Sequence, residues 1–162
     1  MVLWIHTERM FLKRLSNRML APFQLLYWRV AMPEAEGAKV LIEHNGNFLL
    51  IRETYGPKHW TLPGGRSRKD EEPTETAKRK VREEVGIELS RLVTLGSYFH
   101  TRQHKKDVIC AYFAQVDTQA FQINPNTIGE AHWFSVEELA SLEQSESVDD
   151  VLELYHKYKA EK

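Results

Sequence analysis

The spacing of hydrophobic residues changes along the chain from a helical period to the short, dense runs that are typical of strands. Between residues 11 and 30, apolar side chains recur at helical spacing around Pro22, so we predict two helices joined by a kink. Residues 39–53 hold two runs rich in Val, Ile, Leu and Phe on either side of Asn45-Gly46, a strong hairpin signal. The first third of the chain therefore predicts a helical start followed by an antiparallel pair of strands.

The remaining chain alternates predicted helices and strands. Pro73 suits a first helical position, and Ala77, Val81 and Val85 then follow at i+4 spacing before Gly86, so we predict a helix from Pro73 to Val85. The same patterns predict further elements, namely strands over residues 92–102, 107–116 and 131–135 and helices over residues 135–142 and 148–160. Helices interspersed among mostly hairpin-linked strands are typical of an α/β sandwich in which helices cover a mixed sheet.

The N-terminal segment differs from the rest of the chain in charge. Residues 1–31 contain five Lys or Arg residues against Glu8, a net charge of +4, whereas the whole chain has a net charge of -1. Two interpretations stay open for the predicted helices: a basic anchor on an anionic membrane surface, or a helix packed on the domain or on a second copy as a homodimer contact. We favour packing, because the basic residues are few and the apolar face is long.

Composition excludes several classes of protein. With 162 residues, 42% hydrophobic and 28% charged, the chain suits one domain and is neither collagen-like, low-complexity nor strongly disordered. Its balanced charge argues against dedicated nucleic-acid binding. Charges interrupt every apolar run, so neither secretion nor membrane spanning is expected. The single cysteine, Cys110, cannot form an internal disulfide, and we therefore expect a cytoplasmic protein.

Residues 64–87, GGRSRKDEEPTETAKRKVREEVGI, contain the most specific motif in the chain. They resemble the Nudix box, which is Gly, five residues, Glu, seven residues, then Arg-Glu-apolar-any-Glu-Glu-any-Gly-apolar. Position 80 is a mismatch, because the family has Glu where this chain has Lys80. The residues in matching register are Gly65, Glu71, Arg79, Val81, Glu83, Glu84, Gly86 and Ile87. The resemblance extends over about residues 36–142, and it implies an N-terminal helical extension over 1–33 and a Nudix domain over 34–162.

The resemblance implies a Nudix-type α/β/α sandwich and hydrolysis of a nucleoside diphosphate linked to another group. A diphosphate is anionic and resists attack by water until metal ions neutralise its oxygens, so clustered carboxylates and Mg²⁺ or Mn²⁺ suit the reaction. The family roles place metal at the Gly64 carbonyl, Glu83 and Glu84, with Glu71 and Arg79 supporting them. The expected small-molecule partner is a nucleotide, of the NDP-sugar (ADP-ribose-like), nucleoside triphosphate or dinucleoside polyphosphate type.

Lys80 stands where family members have a glutamate that binds metal and, in some of them, acts as the general base. The exchange changes the local charge by two units and weakens a cation site. A simpler interpretation of the acidic cluster is an ion-paired helix face, in which Lys80 pairs with Glu84 and Arg79 with Glu83. Two hypotheses for function follow: a pyrophosphohydrolase of impaired activity, or a nucleotide-binding module that has lost hydrolysis.

Four residues near the glycine loop are candidates for substrate binding. Gly65 lets the backbone approach a phosphate closely, and Arg52 offers a cationic fork for one. Tyr55 and Trp60 either stack on a base or pack at the loop edge. Glu130, on the last predicted strand, is either a further acidic ligand or an ordinary exposed strand residue.

Overall fold

A computed structural model of the chain describes residues 37–102 and 105–162. The two helices predicted between residues 11 and 30 lie outside the described residues, as does the extension over 1–33 with its membrane and homodimer interpretations. Within the described ranges, no helix is long and apolar enough to cross a membrane.

Six strands form one sheet, which is mixed as predicted, although only five of the strands were expected. The order is β4-β5-β1-β2-β6, with β3 also paired to β1; β1 runs parallel to β5, and the other pairs are antiparallel. The strands are β1 (Gly37–His44), β2 (Asn47–Glu53), β3 (Gly64–Arg66), β4 (Val93–Arg102), β5 (Lys105–Gln115) and β6 (Ile128–Ser135). The helices are α1 (Pro73–Val85), α2 (Val136–Leu139) and α3 (Glu146–Ala160).

The two faces of the sheet are covered by different helices. Because successive side chains of a strand point to opposite faces, Val40 and Ile42 of β1 face one core and Leu41 faces the other. The first core contains the predicted stripe of α1, all of it fully buried: Ala77, Val81 and Val85. The second core contains the buried face of α3: Val148 and Val151. The predicted α/β/α sandwich is therefore confirmed.

The predicted hairpin forms, but its strands separate soon after the turn. Asn45 and Gly46 have φ of 49° and 82°, as a tight hairpin turn requires. Next to the turn, Glu43 pairs with Phe48 and His44 with Asn47. Farther along, residues 60–66 lie between the strands. This segment bonds to both strands through Thr61 to Ile51, Pro63 to Val40, and Gly65 opposite Ala38.

Several element boundaries differ from the prediction. Strand β3 was not predicted, because it is three residues long and two of them are glycine, which has a low strand propensity. The helix expected over residues 135–142 is only Val136–Leu139. A capping box between Ser135 and Glu138 starts it. After Leu139, the N–H groups of Ser141 and Leu142 bond to carbonyls three residues earlier, and not four as in an α-helix. Strands β5 and β6 and helix α3 begin two or three residues earlier than expected.

We predict that Gly64→Ala destabilises the domain much more than Gly46→Ala does. Gly64 has φ of 143°, and a Cβ there would collide with the Ala38 carbonyl oxygen and lie 2.9 Å from the Lys39 Cα. Urea denaturation should show a loss of about 3 kcal/mol or more in the free energy of unfolding. Gly46 also has positive φ but open space around it, so alanine there should cost about 1 kcal/mol. Equal losses would contradict the crowding at Gly64.

Candidate active site

The carboxylate of Glu84 joins the glycine loop to helix α1. Glu84 is 4% exposed, and its Oε2 accepts a hydrogen bond from the Gly64 backbone N–H at 3.0 Å. Its Oε1 lies 2.9 Å from Nζ of Lys80, one helical turn earlier. A buried carboxylate is costly without partners, and the first of these two partners holds the glycine loop against the helix.

A second acid, Glu71, fixes the segment between the loop and the helix. The Arg79 guanidinium grips both of its oxygens, with Nε to Oε1 at 2.6 Å and Nη2 to Oε2 at 2.7 Å. The Arg68 backbone N–H and the Thr76 hydroxyl also donate to Oε2. Chiefly through the bonds from Arg79, the pKa of Glu71 is held well below its usual range. This bidentate pair orients residues 66–71 above α1.

Glu83 is the most accessible acid of the motif, with 39% of its side chain exposed. Its Oε2 lies 3.1 Å from Nη1 of Arg79, and its Oε1 lies 3.3 Å from Nη2 of Arg68. Both i,i+4 pairs expected for an ion-paired helix face are therefore formed, Arg79 with Glu83 and Lys80 with Glu84. Each acid of the motif is neutralised by a cation of the chain.

The donors available to a metal ion here are the Gly64 carbonyl and the carboxylates of Glu83 and Glu84. All are hard oxygen ligands of the kind that Mg²⁺ and Mn²⁺ prefer, and the bond between Glu84 and the Gly64 N–H keeps the loop and the buried acid together. Across the described ranges, no three His, Cys, Asp or Glu residues are grouped to hold a metal. The oxygen set fits one hard divalent ion, in competition with the Lys80 ammonium for Glu84.

The stem of Lys80 occupies the space beside Gly65. A Cβ built on Gly65 would lie 2.6 Å from Cε of Lys80. The Lys80 side chain is 21% exposed, so its charge remains accessible at the glycine loop. Lys80, which departs from the motif, thus lies directly against Gly65, which matches it.

A cavity of about 770 Å³ opens beside Gly64 and Gly65 and contains a lysine that the sequence analysis missed. Lys39 of β1 lines this cavity, and its Nζ donates to the Leu62 carbonyl at 2.8 Å. Burial lowers the pKa of Lys39, while the nearby Glu84 carboxylate opposes that shift. The available signal was a charge inside the otherwise uncharged run GAKVLI.

The opposite part of the cavity wall is rich in hydroxyl groups. Ser145 and Ser147, at the start of α3, line it together with Thr61. The Ser145 hydroxyl lies 3.1 Å from that of Thr61 and 2.8 Å from that of Ser147. His59 and Glu53 also line the cavity. None of these residues could be singled out from the sequence, because their proximity depends on how α3 packs on the sheet.

Three predicted substrate-binding residues lie away from this cavity wall. Arg52 is paired to both oxygens of Glu130 at 3.2 Å, and its guanidinium lies 4.4 Å from the Trp60 ring centroid. Trp60 is 6% exposed and packs edge-on against Phe134, which favours packing over base stacking. Tyr55 is 77% exposed and remains accessible to a base. Glu130 lies opposite Arg52 on the neighbouring strand, as an ordinary strand residue would.

Comparisons with known proteins agree with the motif. A family model described as NUDIX domain matches residues 34–155. The chain is 29% identical over 140 residues to a mouse (Mus musculus) bis(5'-nucleosyl)-tetraphosphatase [asymmetrical], covering 83% of this chain and 90% of the relative. A MutT NUDIX hydrolase structure from Burkholderia pseudomallei matches with a TM-score of 0.67 and 25% identity, covering 73% of this chain and 95% of the other.

A further structural match lies at lower sequence identity. The NUDIX domain of Shewanella oneidensis NrtR, solved with ADP ribose, has a TM-score of 0.66 and 18% identity to this chain. The match covers 83% of this chain and 97% of that domain. At this identity the match concerns the fold.

We predict that Glu71→Gln weakens the fold in a pH-dependent way. Because folding depresses the pKa of Glu71 from its ordinary value of 4.5, its pair with Arg79 stabilises the protein fully above that value and progressively less below it. At about pH 7 the variant should lose about 2 kcal/mol in the free energy of unfolding. Its difference from the unaltered protein should shrink as the pH falls towards about 3.

Urea denaturation across this pH range measures the effect. Glu75→Gln is the matched control, since Glu75 forms an exposed pair with Lys78 at 3.2 Å. This control should lower the free energy of unfolding by less than about 0.5 kcal/mol. A Glu71→Gln difference that stays constant with pH would show that the carboxylate charge is not what stabilises the loop.

Proposed function

Since this chain belongs to the Nudix hydrolase family, we propose that it hydrolyses the diphosphate linkage of a nucleoside diphosphate derivative at the glycine loop and α1. The observation that supports this most directly is the buried Glu84 carboxylate on the Gly64 N–H, which brings the two ends of the motif together. The products would be a nucleoside monophosphate and a second phosphorylated product or pyrophosphate.

The cofactor we propose is Mg²⁺ or Mn²⁺, held by the Gly64 carbonyl, Glu83 and Glu84. Such an ion, when bound, neutralises phosphate oxygens and lowers the pKa of bound water. Glu71 and Arg79 act as positioning residues, because their bidentate pair holds the segment that follows the glycine loop.

The substrate class rests on the cavity and on the mouse relative. That relative's name supports a dinucleoside polyphosphate, while nucleoside diphosphate sugars such as ADP-ribose share the same diphosphate chemistry. Lys39 and His59 are basic residues of the cavity wall that could contact a phosphate, and the exposed Tyr55 ring is available to stack on a base. We place the reaction in the cytoplasm, in line with the single cysteine.

A second candidate is a nucleotide-binding module with little or no hydrolysis. The contact of Lys80 Nζ with Glu84 Oε1 at 2.9 Å favours it, because an ammonium replaces an acidic ligand and occupies an oxygen that a metal would use. Binding of nucleotides would survive this exchange, whereas activation of water would suffer.

Turnover assays on paired variants test the hydrolase proposal. The panel is ADP-ribose, diadenosine tetraphosphate and an oxidised nucleoside triphosphate, with Mg²⁺ or Mn²⁺, and chromatography measures the nucleoside monophosphate released. We expect slow turnover by the unaltered chain, an increase of about 10²-fold or more in Lys80→Glu, and loss of turnover in Glu84→Gln.

Lys78→Glu makes the same charge change on an exposed part of the same helix and should leave turnover unchanged. If neither the unaltered chain nor Lys80→Glu turns over any substrate while both bind nucleotides, the binding module is the correct function.

A further inference from the structure

Each carboxylate among the residues that match the motif is paired with a cation of the chain. Glu84 pairs with Lys80 at 2.9 Å, Glu71 with Arg79 at 2.6 Å, and Glu83 with Arg79 at 3.1 Å. In a site of unpaired carboxylates, a diphosphate is repelled until a divalent ion neutralises the acids. Here the chain itself supplies that neutralisation.

Lys39 adds a positive charge that is not spent on a direct ion pair. Its Nζ donates to two neutral oxygens, the Leu62 carbonyl at 2.8 Å and the Thr61 hydroxyl at 3.4 Å. Glu84 and Glu53 act on Lys39 only electrostatically, through space. Since Lys39 lines the cavity and is partly buried, its charge is less screened there than at the surface.

The two lysines lie next to consecutive residues of β3. Lys39 is opposite Gly64 in the β1–β3 register. Lys80 packs against Gly65, where the missing side chain leaves room for its stem. Charge-assisted hydrogen bonds from ammonium groups are strong contacts for phosphate oxygens.

We propose that Lys39 and Lys80 form a built-in cationic pair that binds the diphosphate group of a nucleotide without a divalent ion. The proposal deepens the function proposed above and rests on it. Lys39 lines the cavity, and Lys80 lies beside the cavity-lining Gly65. It assigns the metal to the hydrolytic step alone, so that binding and turnover respond differently to metal removal.

Isothermal titration calorimetry with ADP as the probe, in excess EDTA and then in Mg²⁺, tests the proposal. The unaltered protein should bind ADP with affinities that agree within about threefold in the two conditions. Lys39→Gln should weaken binding in EDTA by about tenfold, and Lys39→Arg, which keeps the charge, should weaken it less. In EDTA, Lys80→Glu should bind ADP about tenfold or more weakly than the unaltered protein, and Mg²⁺ should restore its affinity.

Lys78→Gln removes a positive charge from the exposed face of α1 and should bind as the unaltered protein does. Circular dichroism melting shows that each variant is folded. Binding by the unaltered protein that disappears in EDTA and returns with Mg²⁺ would overturn the cationic pair, even if hydrolysis is observed. Binding that persists in EDTA without any turnover in Mg²⁺ would support the pair and contradict the hydrolase proposal.

Discussion

The site depends on the two contacts made by the buried carboxylate of Glu84. A charge removed from water must find partners, and Glu84 finds one in the loop, the Gly64 N–H, and one in its own helix, Lys80. The first contact makes the loop and helix one structural unit. The second contact neutralises the Glu84 charge without a bound ligand. In this respect the chain differs from a site whose carboxylates are neutralised only by a metal ion.

The sheet explains why the loop reaches Glu84 at all. The β1–β2 hairpin separates after its turn, and residues 60–66 fill the opening by bonding to both strands. Gly64 therefore lies against the backbone of β1, where a Cβ would collide with the Ala38 carbonyl oxygen, and bonds to Glu84 in the last turn of α1. The cavity forms beside this insertion and is completed by the start of α3 from the other side of the sheet. Fold and site thus share the same backbone hydrogen bonds.

The sequence predicted the parts of this arrangement that depend on local spacing. The stripe Ala77, Val81, Val85 specified the buried face of α1, and the motif register specified which acids lie near the glycine loop. Contacts between segments that are distant in the chain could not be predicted from local spacing. Lys39 meets Leu62 only because residues 60–66 enter the sheet, and Trp60 is buried because it packs on Phe134 of β6. Strand β3 was missed because its pairing comes from its position and not from its composition.

The lysine stem beside Gly65 has an evolutionary consequence. Lysine and glutamate codons differ only in their first base, so one transition in the gene exchanges the residue at position 80. The surroundings already accept a long, flexible side chain there, since Gly65 leaves room for it and Glu84 is held independently by the Gly64 N–H. Under the two functions proposed above, this single point change would separate a nucleotide-binding module from a nucleotide-hydrolysing enzyme, with the rest of the architecture retained.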